Sequence, residues 1–176
     1  LHVRSRRQRQ MCIRDSFITL QECYAILSGK IRQEGKVAYL SFDDGWQSNL
    51  NLIPIIDKYQ APITIFVSID PLLSGNFWWE YALADGIELR NKMKLMSYKK
   101  FVSSLESLKK KYSLERSVLT EQELVKIASH PLVSIQSHTM SHPILTNCDD
   151  EILSYELNSS KAVSYTHLTL PTTPYV

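Results

Sequence analysis

Apolar positions in this chain recur with two spacings, and the alternation between those spacings outlines its architecture. Leu20, Cys23, Ile26 and Leu27 share one side of a helix expected over Leu20–Ser28. Polar residues 29–36 follow. The run Val37, Ala38, Tyr39, Leu40 and Phe42 then reads as a buried strand. Asn49 or Asn51 is placed to cap a short helix through Tyr59, with Pro54 near its start, where proline is tolerated. After Pro62, the continuous run Ile63-Thr64-Ile65-Phe66-Val67 is typical of a strand buried on both faces.

Residues 76–129 are mostly helical in pattern. Tyr98, Phe101, Val102, Leu105 and Leu108 recur at three- and four-residue steps, with lysines on the other side. Thr120-Glu121-Gln122-Glu123 fits a capping box ahead of Leu124, Val125 and Ile127, and Pro131 closes that helix. Leu132-Val133-Ser134-Ile135 reads as a third strand. Asp149 or Asp150 then caps a last helix with Ile152, Leu153, Glu156 and Leu157. Strand, helix, strand, helices, strand, helix is the order of an α/β fold with a parallel sheet and helical crossovers. In such folds catalytic groups collect at the carboxyl ends of the strands.

Composition changes this picture mainly at the two ends. The hydrophobic share of 44% and the charged share of 22% are ordinary for a globular chain, and 176 residues suffice for one core. Five of the 20 basic residues (Arg4, Arg6, Arg7, Arg9, Arg14) but one of the 18 acidic ones lie in residues 1–16, so the remainder carries a net −2. That balance gives no support to nucleic-acid binding. Residues 1–16 lack amphipathic periodicity and residues 163–176 carry no charge, so both ends read as translated adapter or library sequence. The domain is therefore expected within residues 17–162. Cys12, Cys23 and Cys148 form no spaced disulfide framework. No apolar run approaches the roughly 20 residues of a membrane span. With the true N-terminus expected to be missing, the compartment stays open.

The chemistry lies where two strands end. Asp43 and Asp44 are adjacent carboxylates at the end of an apolar run, and burying such a pair is costly unless a cation or hydrogen bonds compensate. Far downstream, His138 and His142 stand four residues apart just past the third strand. Neutral imidazoles are the commonest metal ligands. One carboxylate and two imidazoles make an open three-ligand site with room for a reactive water. Gly45 lets the backbone turn tightly beside a bound ion. A zincin protease would need Glu after the first histidine, where position 139 is Thr. A phosphatase with an aspartyl nucleophile would want D-x-D, whereas Asp43 and Asp44 are adjacent.

With these residues in view, the chain resembles the polysaccharide deacetylase family, also called the NodB-homology or carbohydrate esterase 4 family. Ser41-Phe42-Asp43-Asp44-Gly45 matches its first motif, T-F-D-D-G, with Ser for Thr. His138–His142 matches its second, H-[ST]-x-x-H, and the Leu-Val-Ser-Ile-Gln lead-in is also typical. The segments Ala61–Val67 and Pro143–Thr146 look familial as well, so the resemblance covers residues 36–161 in patches. It implies an incomplete distorted (β/α) barrel and a divalent-metal hydrolase that removes acetyl groups from sugars. Carried over residue by residue, Asp43 is the general base, and Asp44, His138 and His142 are the metal ligands. The chemistry is consistent: a bound ion lowers the pKa of water toward about 7 and stabilises an oxyanion, while Asp43 takes the water's proton. Zinc is the default ion for such a donor set. The implied substrate is a polysaccharide or glycan, with the N-acetyl group of an N-acetylhexosamine favoured over O-acetyl esters.

Two departures accompany the resemblance. Asp44 and His138 are 94 residues apart, so residues 76–120 read as a helical insertion between the second and third strands. The later family motifs R-x-P-Y and D-x-x-x-W and the L-x-H with its general-acid histidine are missing, and the chain reads as a truncated form. Pro174-Tyr175 and His167 mimic parts of those motifs, but they lie in the suspect tail. A partial barrel also leaves an unpaired strand edge. A non-catalytic metal- or carbohydrate-binding module of the same fold is the rival function. Among other residues, His130 reads as a helix-end cap, Trp78 and Trp79 as a buried pair anchoring the helical segment, and Trp46 as a lining of the substrate cleft. Lys109–Lys111 reads as a solvated helix end.

Overall fold

The computed structural model describes residues 17–164. The arginine-rich start, His167 and Pro174-Tyr175 lie outside the described residues. Four parallel strands form one sheet in the order β1-β2-β3-β4: β1 Phe17–Ile18, β2 Ala38–Phe42, β3 Ile63–Val67 and β4 Val133–Ser137. Helices make the crossovers, as parallel pairing requires, and the result is an incomplete (β/α) barrel. Between β1 and β2 runs α1 (Leu20–Leu27). Between β2 and β3 a 3-10 segment, Gln47–Leu52, leads into α2 (Ile53–Tyr59).

The long crossover from β3 to β4 contains α3 (Ile69–Ser74), α4 (Trp78–Asp85), α5 (Ile87–Met93), α6 (Tyr98–Lys111) and α7 (Glu121–Ala128). After β4 comes α8, Asp150–Val163. Among the described residues no helix is long and apolar enough to cross a membrane.

Central β3 is the most enclosed strand, as its β-branched run predicts: Ile63, Thr64, Ile65 and Val67 are buried. It pairs with β2 on one side and with all five residues of β4 on the other. Strand β2 departs from expectation, because Ala38 and Ser41 are exposed. Strand β1, which the apolar pattern did not announce, is short. It reaches only Ala38 and Tyr39, leaving the Leu40–Phe42 end of β2 uncovered on that side.

Two further expectations are corrected. Neither Asn49 nor Asn51 caps α2; Leu52 occupies that position without a side-chain bond, and Asn49 is 6% exposed inside the 3-10 segment. The chain stays in 3-10 form where Gln47 N donates to Ser117 O at 2.9 Å and Trp46 bridges Val118, tying the start of the segment to the return of the long crossover. In α8 the buried residues are Glu156 and Ser160, with Ser164 just past its end, whereas Leu157 is 46% exposed.

Two later capping signals held. Thr120 and Glu123 form the predicted reciprocal box, and Asp149 caps α8 through Ile152 N at 2.9 Å.

Two apolar clusters result. The first joins β3 to α2, α3, α7 and β4 through Ile56, Ile65, Val67, Leu72, Leu124 and Ile135, with Leu119 and Met140 from the connecting loops. The second lies within α4, α5 and α6 and contains Trp78, Tyr81, Met93, Phe101 and Leu108. The helical segment therefore has a core of its own, a satellite of the kind found under long connections.

Candidate metal centre

The site is built from two turns at the carboxyl ends of β2 and β4. At the first, Asp44 (φ 77°) and Gly45 (φ 81°) are consecutive left-handed residues, and Gly45 N closes the turn on Asp43 O at 3.0 Å. Glycine is required for a second reason: a Cβ there would lie 2.6 Å from Val67 Cγ1. Gly45 O accepts from the buried Leu119 at 3.0 Å. The loop after α6 thus braces the carboxylate turn, a contact that local pattern does not encode.

At the second turn, His138 N continues the β3–β4 ladder by donating to Val67 O at 2.8 Å, and Ser68 Oγ donates to His138 O at 2.5 Å. Thr139 (φ 68°) and His142 (φ 55°) then reverse the chain in left-handed conformations. Thr139 Oγ1 accepts from His142 N at 3.1 Å. Left-handed backbone at a β-branched residue is costly and persists only where surroundings impose it. Three of the four left-handed non-glycine residues among those described lie in these two turns, which marks both as constrained.

The turns bring three predicted side chains together. Asp44 Oδ1 lies 3.2 Å from His142 Nε2 and 3.6 Å from His138 Nε2. The three donor atoms all lie within 4.8 Å of one another, and this is the trio among the described residues that could hold a metal ion. One carboxylate oxygen and two imidazole nitrogens fit a divalent ion such as zinc. Asp43 is exposed beside this trio and has no place in it.

The electrostatics suit ligation. Burial pushes the Asp44 carboxyl up, but the His142 hydrogen bond, both imidazoles and the Trp46 indole outweigh it, so the net shift is downward. Burial and the neighbouring His142 lower His138, against the pull of Asp43 and Asp44. A neutral imidazole is the form that binds metal.

Surrounding groups orient the donors. Trp46, expected in the cleft wall, donates from Nε1 to Asp44 Oδ2 at 3.1 Å, so one carboxylate oxygen is tied back while Oδ1 faces the histidines. Trp78 is 4% exposed and belongs to the second core, as expected of an anchoring residue. It also donates from Nε1 to His142 O at 3.0 Å. Trp79 stacks on Phe77 (4.2 Å between centroids) and meets His142 edge-on at 4.9 Å. His130 stays away from the site. It accepts from Leu132 N through Nδ1 at 3.2 Å and pairs with Asp57 through Nε2 at 2.9 Å; the expected helix-end cap is instead Ser129, one residue earlier. Lys111 is more than a solvated end, since it pairs with Asp85.

Sequence reasoning missed the buried carboxylate of Glu156. It accepts from Met140 N, Ser141 N, Ser141 Oγ and Tyr98 Oη, all close to the histidine turn. Burial is the main cause that pushes the Tyr98 phenol up to about 12, so it remains a donor. A signal was available: Glu156 falls at helical spacing from Ile152 and Leu153, where an apolar residue is the norm.

Comparison with known proteins agrees with this architecture. A Streptococcus pyogenes deacetylase, PplD, in complex with acetate, is similar over 95% of this chain and 65% of its own length, with TM-score 0.59 and 20% identity. IcaB from Ammonifex degensii is similar over 98% of this chain and 67% of its own length, with TM-score 0.55 and 18% identity. The chain thus spans about two thirds of each of these structures. No curated protein sequence matches it. The sequence model described as polysaccharide deacetylase matches residues 30–175, and the chain belongs to that family.

Proposed function

We propose that this chain is part of a metal-dependent carbohydrate deacetylase that removes the N-acetyl group of an N-acetylhexosamine unit in a polysaccharide or glycan. The observation that carries the reading is the approach of Asp44 Oδ1 to both imidazole Nε2 atoms, with the exposed Asp43 next in sequence. Asp44, His138 and His142 would hold the ion, with zinc as the default choice. When bound, such an ion activates water and polarises a carbonyl oxygen. Asp43 then serves as the base that takes the proton of the attacking water at its carboxylate. Trp46 keeps Asp44 aimed by occupying its second oxygen. Family membership supports the acetyl-transfer chemistry, and the streptococcal relative in complex with acetate supports acetate as the product.

The test measures bound metal and acetate released from an N-acetylhexosamine oligomer. His138→Ala is expected to lose the metal, and Asp43→Asn to keep the metal while losing turnover. Full metal content in His138→Ala, or full activity in Asp43→Asn, would sink the assignment. Tight metal without acetate release from the complete parent protein would favour a non-catalytic metal- or carbohydrate-binding module.

A further inference from the structure

Glu156 on α8 is 0% exposed. A buried carboxylate is costly unless donors surround it, and here four do. Met140 N and Ser141 N donate to Oε2 at 2.8 and 2.9 Å, while Ser141 Oγ and Tyr98 Oη donate to Oε1 at 2.6 and 3.1 Å. Three of these donors belong to the turn between His138 and His142.

The opposite side of the same turn is gripped by α3. Thr139 O accepts from Ile69 N at 3.4 Å and Met140 O from Asp70 N at 2.8 Å. The N–H groups of residues 140 and 141 therefore point at Glu156, and the carbonyls of 139 and 140 point at α3. Backbone groups in such a turn must find partners somewhere. Between the left-handed Thr139 and His142, the backbone is thus held from both sides in the shape that turns two imidazoles toward Asp44.

We infer that Glu156 is a positioning residue for the metal centre: its buried carboxylate sets the shape of the His138–His142 turn and thereby the convergence of the two imidazoles. This rests on the metal-centre reading above. Glu156 is not itself a ligand, because its oxygens are already engaged and it stands outside the trio that could hold an ion. Tyr98 brings α6 into the same arrangement, so the helical segment braces the site through the same carboxylate.

The test titrates the chain with Co2+, reading affinity and the visible absorption band, which reports coordination geometry, with circular dichroism to follow the fold. Glu156→Gln replaces an acceptor oxygen by an NH2 group facing N–H donors. It is expected to weaken Co2+ binding by about 10- to 100-fold, the range for outer-shell partners, and to shift the band while the dichroism stays unchanged. Wild-type affinity with an unchanged band would overturn the inference. So would a loss of thermal stability alone, since that is what a merely structural role predicts. Should Glu156→Gln fail to fold, the double variant Tyr98→Phe with Ser141→Ala carries the test. It strips both donors from Oε1 and is expected to weaken Co2+ binding in the same direction, and unchanged binding overturns the inference. A wild-type chain that binds no Co2+ overturns the metal-centre reading, and this inference with it; normal wild-type binding alongside an unaffected variant removes the Glu156 role alone.

Discussion

At Gly45 two requirements coincide, a left-handed backbone and the absence of a Cβ. Gly45→Ala incurs the left-handed penalty and a clash with Val67, a side chain in the fully buried centre of the sheet. The expected loss is about 2–5 kcal/mol, combining backbone strain with overpacking, and a denaturant titration measures it. The glycine was legible because it follows two carboxylates at a strand end, a place where the chain must turn. Its contact with Val67 was not, since the two residues meet only when β2 and β3 pair. Glu156 illustrates the converse. Its type suggests an exposed helical position, yet its four partners come from two distant segments and make burial tolerable.

Among the elements, α7 and α8 formed where their local signals placed them: the box at Thr120 and the cap at Asp149 depend on residues three apart in sequence. Elements set by distant contacts were less legible. Gln47–Leu52 follows the pull of Ser117 and Val118, and the uncovered edge of β2 at Leu40–Phe42 follows the length of β1. The first turn of α3 offers a test of how elements meet. Burial pushes the Asp70 carboxyl up, the charge of Lys109 on α6 lowers it, and that of Glu156 on α8 raises it, with a net upward shift. A carboxyl raised on folding binds more protons folded than unfolded, so stability declines as pH rises from near its unfolded value of 3.8 through the folded value. Asp70→Asn is therefore expected to gain about 1–3 °C in Tm at pH 7. The difference from wild type should narrow as pH is lowered toward 4. A loss of stability at pH 7, or a gap that widens in acid, would show that Asp70 is favourable where it stands.

Over the whole molecule, the histidine turn links two cores. Met140 sits in the sheet core, Ile144 packs against the core of the helical segment, and Trp78 of that segment donates to His142 O. An ion bound by Asp44, His138 and His142 would cross-link β2 to β4 beside this junction. Because it binds the folded chain, Zn2+ at about 100 times its Kd should add about 2.7 kcal/mol. That corresponds to a Tm rise of roughly 5–11 °C for a chain of this size. Scanning calorimetry with and without a chelator measures it, and His138→Ala should show no rise. An equal rise in that variant would place the stabilising ion elsewhere.

The sequence alone determined the alternation of strands and helices, the capped starts of α7 and α8, and the side chains at the candidate site. Those depend on periodicity and neighbouring residues. It also carried the family resemblance, because both motifs are short and contiguous. Only the tertiary structure decided that Asp44 Oδ1 meets both imidazoles, the nearer of them 94 positions away in sequence. It alone decided that Trp46 ties back the second oxygen, and that a helix turns Glu156 rather than Leu157 inward. Those outcomes depend on which distant donors surround a group, and a buried carboxylate is favourable only where such donors converge.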